Sequence, residues 1–215
     1  MPYNDEHKLF FIHIPKSAGT AIGNNKDLFF RGGGHFNILK DHHFKTRKDY
    51  SVFTVIRNPW DRFVSAYKYV IMEKSFHHDS RNHTKHPLHD LFKDKTLKEC
   101  AFFMLNNRNL NTGNHNTNHF HTQSFYLDGY DGKIDLLSFD NLPFEYTNFI
   151  KKKTGLDINL EKINITTTKT KPYWDYYEDK ETVDMVYEIY KDDFKLYNFK
   201  FKKRIVFQNV KKEWV

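Results

Sequence analysis

The sequence predicts an α/β fold, a three-layer sandwich built around a central parallel sheet. Three observations carry that expectation. Short apolar runs recur at 8–14 (KLFFIHI), 51–56 (SVFTVI) and 133–139 (KIDLLSF), each too short for a core helix and rich in residues that fill buried strands. A turn or a segment with helical spacing follows each run. No repeat and no Pro/Ser-rich linker interrupts the 215 residues, so a single domain is expected over 1–215, with a poorly defined basic tail from residue 200.

Each element has its own signal. Pro15 stops the first strand, and KSAGTAIGNN reads as a tight turn opening a short helix. Arg57-Asn58-Pro59 closes the second strand, and Pro59 suits the first turn of a helix, where no N–H partner is lost. From Trp60, the positions Phe63, Val64, Tyr67, Val70 and Ile71 recur at helical spacing. Residues 73–90 are polar and His-rich and predict a surface loop, Thr96–Asn106 a helix, and 107–122 a second polar loop. After the third strand, Leu142–Thr154 has the pattern of a helix with Gly155 as its C-terminal cap. Residues 164–173 (NITTTKTKPY) predict an irregular loop. Thr182–Phe194 predicts one amphipathic helix with Val183, Val186, Tyr187, Tyr190 and Phe194 on its apolar face. Within the tail, RIVFQ (204–208) has the composition of an edge strand.

Composition narrows the class. The 21 Phe, 13 Tyr and 3 Trp provide a large apolar surface to bury, which disordered chains lack. A single Cys excludes a disulfide framework and a cysteine-based zinc site. No apolar run approaches the roughly 18 residues of a membrane span. The start, MPYNDEHKLFFIHIP, is acidic where a signal peptide is basic, so a cytoplasmic protein without an integral membrane segment is expected. Formal net charge is +7, which points to an anionic partner. Only 7 of the 34 basic residues are Arg, the better bidentate phosphate fork, so each Arg is informative.

Two strand ends carry anion chemistry. In FIHIPKSAGTAI a strand runs into a turn holding Lys16, Ser17, Ala18, Gly19, Thr20 and Ala21, and then into a helix. Backbone N–H groups at such a helix start favour an anion, Lys16 reaches the same place, and Ser17 and Thr20 offer hydroxyl donors. The plain alternative is an ordinary helix cap. The order differs from the GxxxxGK[ST] phosphate loop, because Lys16 precedes Gly19. In VIRNPWDRFVSAYKY, Arg57 stands at the C-terminal end of a strand, where ligands bind in open α/β sheets. Ser65 lies about two helical turns further on and is placed to share an anion with Arg57. Arg62 reads as a structural or surface partner, and Trp60 as a packing residue.

Taken together, FIHIPKSAGT and VIRNPWDRFVSAY resemble the cofactor signature of sulfotransferases, particularly the carbohydrate sulfotransferase branch. The resemblance implies a P-loop-like sulfotransferase fold and the donor PAPS (3′-phosphoadenosine 5′-phosphosulfate), with PAP as product. It implies that the first segment holds the 5′-phosphosulfate and that Arg57 and Ser65 hold the 3′-phosphate. GGGHF (32–36) is similar to the family's Gly-His segment, which makes His35 the implied base. Gln123 with Phe125, Tyr126 and Leu127 resembles a Q-x-x-aromatic segment. SFDNLPFEYTNFIKKKTGL resembles the family's strand–helix segment, with Asp140 where Glu is common, and YEIYKDDFKLYNF its terminal helix. Asn164 and TTTKTK resemble the loop over the nucleotide end, so Thr167, Thr168, Lys169 and Lys171 are expected on the cofactor. The resemblance covers residues 8–199. Animal members are Golgi membrane proteins, whereas no anchor is read here.

Sulfuryl transfer requires in-line positioning and stabilisation of charge on the leaving phosphate. Lys16 is expected to hold that charge. A hydroxyl acceptor gains from a base that titrates near neutrality, which favours histidine. Of the 13 His, His35 follows three glycines that let a ligand approach closely. His13 is expected to pack or to support the site from behind. His77, His78, His83, His86 and His89 lack readable ligand spacing, so no metal is expected; His115, His119 and His121 read as acceptor contacts if they function at all.

Two other readings compete: a P-loop-type kinase of a small molecule, with Asp140 as Mg²⁺ ligand, and a non-catalytic nucleic-acid-binding domain. The position of Lys16 counts against the first, and the lack of any RNP, KH, zinc-finger or basic-zipper pattern against the second. The leading expectation is a metal-independent PAPS-dependent sulfotransferase acting on a hydroxyl of a carbohydrate, chosen by the loops 73–90 and 107–122.

Overall fold

The structure is a computed structural model that describes residues 1–73, 85–107, 115–158, 160 and 171–201. In chain order the elements are β1 (Tyr3–Asn4), β2 (Leu9–Ile12), α1 (Gly19–Gly23), β3 (Ser51–Ile56), α2 (Pro59–Val70), α3 (His89–Phe92), α4 (Leu97–Asn106), α5 (Gln123–Leu127), β4 (Ile134–Ser138), α6 (Leu142–Thr154), α7 (Lys180–Ile189) and α8 (Lys191–Tyr197). Short 3₁₀ turns lie at Ile38–Lys40, Phe44–Thr46, His115–Phe120, Phe139–Asn141 and Tyr173–Tyr176. The chain divides into two compact units, Met1–Arg57 with Gln123–Lys169, and Asn58–Thr122 with Thr170–Val215.

The first unit holds the sheet, in the order β1-β2-β3-β4. β2, β3 and β4 are parallel, with Ile12 opposite Thr54 and Ile56 opposite Ser138; β1 runs antiparallel to β2. This is the α/β fold with a mostly parallel central sheet that the sequence predicts. Both faces of β2 and β3 are covered, which is why these strands read as continuous apolar runs instead of alternating ones. Leu9, Phe11, Phe53, Val55 and Leu137 pack with Ile22 of α1 and with Leu142, Tyr146, Phe149 and Ile150 of α6. On the opposite side Phe10, Ile12 and Val52 pack with Ile38, Phe44 and Tyr126. Each fully buried Phe or Leu contributes about 1.5–3 kcal/mol relative to exposure.

The second unit is helical among its described residues. Asn58 caps α2, its side chain accepting from the Trp60 N–H at 3.1 Å, with Pro59 following. Thr96 and Glu99 form a reciprocal capping box on α4. Trp60, Phe63, Phe92, Met104, Phe120, Tyr173, Val186 and Tyr190 belong to its core. Trp60 is a packing residue, as expected, and its indole N–H donates to the Val183 carbonyl at 3.1 Å.

Four expectations need correction. The first strand is shorter than 8–14, and β1 precedes it across a tight connection in which Lys8 is left-handed (φ 51°); two residues give no periodic signal. The helix expected over Thr182–Phe194 is two helices broken at Tyr190 (φ −112°, ψ 22°). Tyr190 is buried and donates its hydroxyl to the Phe120 carbonyl at 2.8 Å, and both helices face one core, so the apolar spacing runs through the break unchanged. The polar stretch 107–122 contains the turn His115–Phe120, with Phe120 buried, and the stretch 73–90 ends in α3. The segment RIVFQ, and residues 164–170 of the expected loop, lie outside the described residues.

Candidate active site

The C-terminal ends of β2, β3 and β4 lie on one edge of the sheet, and three of the site's features leave from there. Beyond β2, Lys16 (φ 65°) and Ala18 (φ 59°) are both left-handed while Ser17 between them is not. For residues other than glycine this conformation costs on the order of 1–3 kcal/mol each, and within the turn the Ser17 N–H donates to the Ile14 carbonyl at 3.3 Å. Ala18 occupies the N-cap of α1 without a side-chain hydrogen bond. α1 has only five residues, so the loop backbone and its side chains, more than any helix dipole, make the cradle.

Ser17 is the telling residue. Its side chain is buried, and its hydroxyl oxygen has no hydrogen-bond partner among the described residues. Leaving a buried hydroxyl unpaired costs about 1–3 kcal/mol, so the loop is shaped for something else to accept from it.

From the end of β3, the Arg57 guanidinium donates to the Lys16 carbonyl at 2.7 Å and lies over the Phe139 ring, 4.0 Å from its centroid. Phe139 itself follows β4 directly. The Arg57 main chain is held by Gln123, whose amide accepts from the Arg57 N–H at 2.8 Å and donates to the Arg57 carbonyl at 2.9 Å. Lys16 is half-buried, and desolvation first, then the Arg57 charge, push its ammonium down to about 7. Two cations thus interact where the ends of β2 and β3 meet.

Gly19 is sterically required. A Cβ there would stand 1.7 Å from Nε2 of His13, whose ring covers the start of α1. That ring also meets the His35 ring, centroids 4.2 Å apart. His35 Nδ1 is 3.1 Å from the His13 carbonyl. A carbonyl only accepts, so Nδ1 carries the proton and Nε2 is left as the basic nitrogen. His13, read from the sequence as a packing or supporting residue, thus sets the tautomer of His35 through its main chain. Two of the glycines before His35 also have a backbone reason, while a Cβ on Gly33 would meet nothing within 4 Å. Gly32 (φ 78°) and Gly34 (φ 90°) are left-handed, and a Cβ on Gly32 would meet the Met1 carbonyl at 2.7 Å. For Gly19→Ala, displacement of the His13 ring should destabilise the fold by about 1–3 kcal/mol, read from denaturant melts. An unchanged melt would show that the ring has no fixed place there.

Other expected site residues are placed as follows. Thr20 and Ala21 lie in α1, Ala21 buried and Thr20 half-buried. Ser65 is half-buried on α2 in the second unit. Thr167, Thr168 and Lys169 lie outside the described residues; Lys171 is exposed, its ammonium 4.8 Å from the Tyr176 ring centroid. Arg62 is fully buried and donates to the carbonyls of His119 and His121, so its role is structural and not at the surface. His86 Nε2 meets His119 Nδ1 at 3.1 Å, and His89 bridges the Val70 carbonyl and Glu73. Burial, then the Arg62 charge, push His121 down to about 4. His77, His78 and His83 lie outside the described residues, and among the described ones no three His, Cys, Asp or Glu side chains converge. Asp140 lies in the turn Phe139–Asn141 before α6, whose N-cap is Asn141, and Glu145 accepts from the Ser138 N–H at 2.6 Å.

The sequence reading did not single out the Gln123 clamp, the Phe139 platform or the Asn37 amide, which donates to the Phe125 and Asp128 carbonyls at 2.9 Å each. Asn37 and Gln123 are buried and Phe139 is half-buried, and their partners lie far along the chain, which no spacing reveals.

A family model described as the sulfotransferase family matches residues 1–200, nearly the whole chain. The chain belongs to the sulfotransferase family. No curated protein and no solved structure matches it. As a member, this sulfotransferase is a transferase whose sulfuryl donor is PAPS and whose second product is PAP. The kinase and nucleic-acid readings find no support in the match. The residues present fit the donor's two anionic ends: the Ser17 hydroxyl, without a partner among the described residues, and Lys16 stand in one loop, and a second cation, Arg57, stands at the end of β3. No helix among the described residues of the sulfotransferase is long and apolar enough to cross a membrane.

Proposed function

We propose that the protein transfers the sulfuryl group of PAPS to a hydroxyl of a carbohydrate by in-line displacement, with His35 as the base and Lys16 as the group that holds charge on the departing phosphate. The observation that carries the reading is the His35 tautomer fixed by the His13 carbonyl, which leaves Nε2 as the proton acceptor. When bound, PAPS supplies a sulfuryl group on a good anionic leaving group. His35 Nε2 takes the acceptor hydroxyl's proton as the oxygen–sulfur bond forms and the sulfur–oxygen bond to phosphate breaks. Lys16 and the backbone N–H groups of Ala18, Gly19 and Thr20 stabilise the charge that develops on the phosphate oxygen, with Ser17 donating its hydroxyl. Arg57 is assigned to the 3′-phosphate; Ser65 is assigned to the same group on the sequence resemblance alone.

The carbohydrate acceptor likewise rests on the resemblance of the two motifs to the carbohydrate branch. Transfer of labelled sulfate from PAPS to a panel of polysaccharides, lipid headgroups and tyrosyl peptides tests it. Label on polysaccharide hydroxyls supports the assignment, and label confined to tyrosine or lipid overturns it.

Arg57→Ala should weaken PAP binding by about tenfold to a hundredfold, the loss of one charge-assisted contact, with Ser65→Ala smaller in the same direction. Calorimetry that finds equal PAP affinity in wild type and Arg57→Ala removes the 3′-phosphate assignment. Activity with PAPS should persist in excess EDTA, and ATP should not serve as donor with or without Mg²⁺. A phosphosulfate end carries less charge than a triphosphate tail and can be neutralised by the loop and Lys16. Collapse in EDTA with recovery in Mg²⁺ or Zn²⁺ would reverse that expectation.

A further inference from the structure

We propose that Gln123 is a positioning residue for donor recognition: its side-chain amide extends the sheet's hydrogen bonding by one residue beyond β3 and so aims the Arg57 guanidinium. The inference rests on the reading of Arg57 as the 3′-phosphate ligand. The ladder between β3 and β4 ends at the pair Ile56–Ser138, so Arg57 is the first residue past the last strand partner. Its N–H and carbonyl are instead both engaged by one side chain, Gln123, at 2.8 and 2.9 Å. Gln123 is fully buried, and its two partners fix the amide orientation, since one only donates and the other only accepts.

Few side chains can do this. Glutamate keeps the acceptor but loses the donor, methionine matches the length and has neither, and asparagine is one methylene short. Clamping N–H and carbonyl together restrains φ and ψ at Arg57, and the side chain leaves from that restrained backbone. It is then seated by the Lys16 carbonyl and by the Phe139 ring. An arginine held at backbone, guanidinium edge and guanidinium face has little entropy left to lose when an anion arrives. Helix α5 does not depend on the clamp alone. Its other end is held by Asn37, through the Phe125 and Asp128 carbonyls. Removing the Gln123 amide therefore releases Arg57 while α5 keeps its second anchor.

The test compares PAP with 5′-AMP, which lacks the 3′-phosphate, by calorimetry on the full chain. The proteins are wild type, Arg57→Ala, Gln123→Met, Gln123→Glu and the double variant Gln123→Met with Arg57→Ala. Gln123→Met should weaken PAP by about tenfold and 5′-AMP by less than about twofold, and the double variant should bind PAP no more weakly than Arg57→Ala alone. Gln123→Glu should show the same selectivity for PAP with a smaller loss, and it carries the test if Gln123→Met does not fold. Equal losses for both nucleotides, or a further loss in the double variant, would show general support of the fold and overturn the proposal. If Arg57→Ala itself leaves the PAP to 5′-AMP ratio intact, the phosphate assignment has failed; if that ratio collapses while Gln123→Met and Gln123→Glu preserve it, only the clamp has failed.

Discussion

His35→Ala should lower kcat by about 10²- to 10⁴-fold, the range lost when a positioned general base is removed, while PAP affinity stays within about threefold. The separation follows from the roles. In the roles proposed, the base meets the acceptor proton, and the loop after β2 and Arg57 hold the nucleotide. His35 is oriented by the His13 main chain, so His13→Ala should leave the hydrogen bond to Nδ1 in place and cost much less than His35→Ala. Single-turnover rates at saturating PAPS, beside PAP titrations, check this. A parallel fall in rate and in PAP affinity would move His35 from the acceptor to the nucleotide.

Lys16→Ala should reduce kcat by about 10²- to 10³-fold, as for removal of one preorganised donor to a developing oxyanion, with a smaller loss of PAP binding. The charge it opposes is greatest in the transition state, so ground-state affinity records only part of its effect. The environment of Lys16 adds a pH dependence. Desolvation and Arg57 hold its ammonium at about 7 in the free protein, and a bound anion favours the charged form. The amine therefore takes up a proton on binding at pH above 7, and PAP affinity should fall as pH rises from 7 to 9. The limit is about tenfold per pH unit for one proton. Phosphate's own second ionisation, near pKa ~6, is complete in that window. Lys16→Ala should abolish the slope. A wild-type affinity flat from pH 7 to 9, or a slope unchanged in Lys16→Ala, would show that Lys16 stays charged throughout.

The legible part of the fold was the part written in local patterns. β3 and α6 have the expected bounds, Ser51–Ile56 and Leu142–Thr154, because each begins and ends on residues with strong backbone preferences, such as Pro59 after β3 and Gly155 (φ 78°) after α6. The motif residues Lys16, Ser17 and Arg57 were legible for a similar reason. Their chemistry and their place at strand ends are both local, and parallel strands then bring those ends to one edge.

What the sequence by itself determined was therefore the α/β class, the two strand ends whose residue types suit an anion, and a family signature dense enough to name the donor. Only the tertiary structure decided how those parts are aimed. The His35 tautomer depends on a carbonyl 22 residues earlier in the chain, and the Arg57 backbone on an amide 66 residues later. Tyr190, where the last helix breaks, donates to the Phe120 carbonyl 70 residues away. The need for glycine at position 19 depends on where the His13 ring lies. Periodicity and capping report interactions within a few residues, so they fix elements. Hydrogen bonds and ring contacts between distant segments have no period; they exist only once burial has removed water as the competing partner, and they turn a set of plausible side chains into an arranged site.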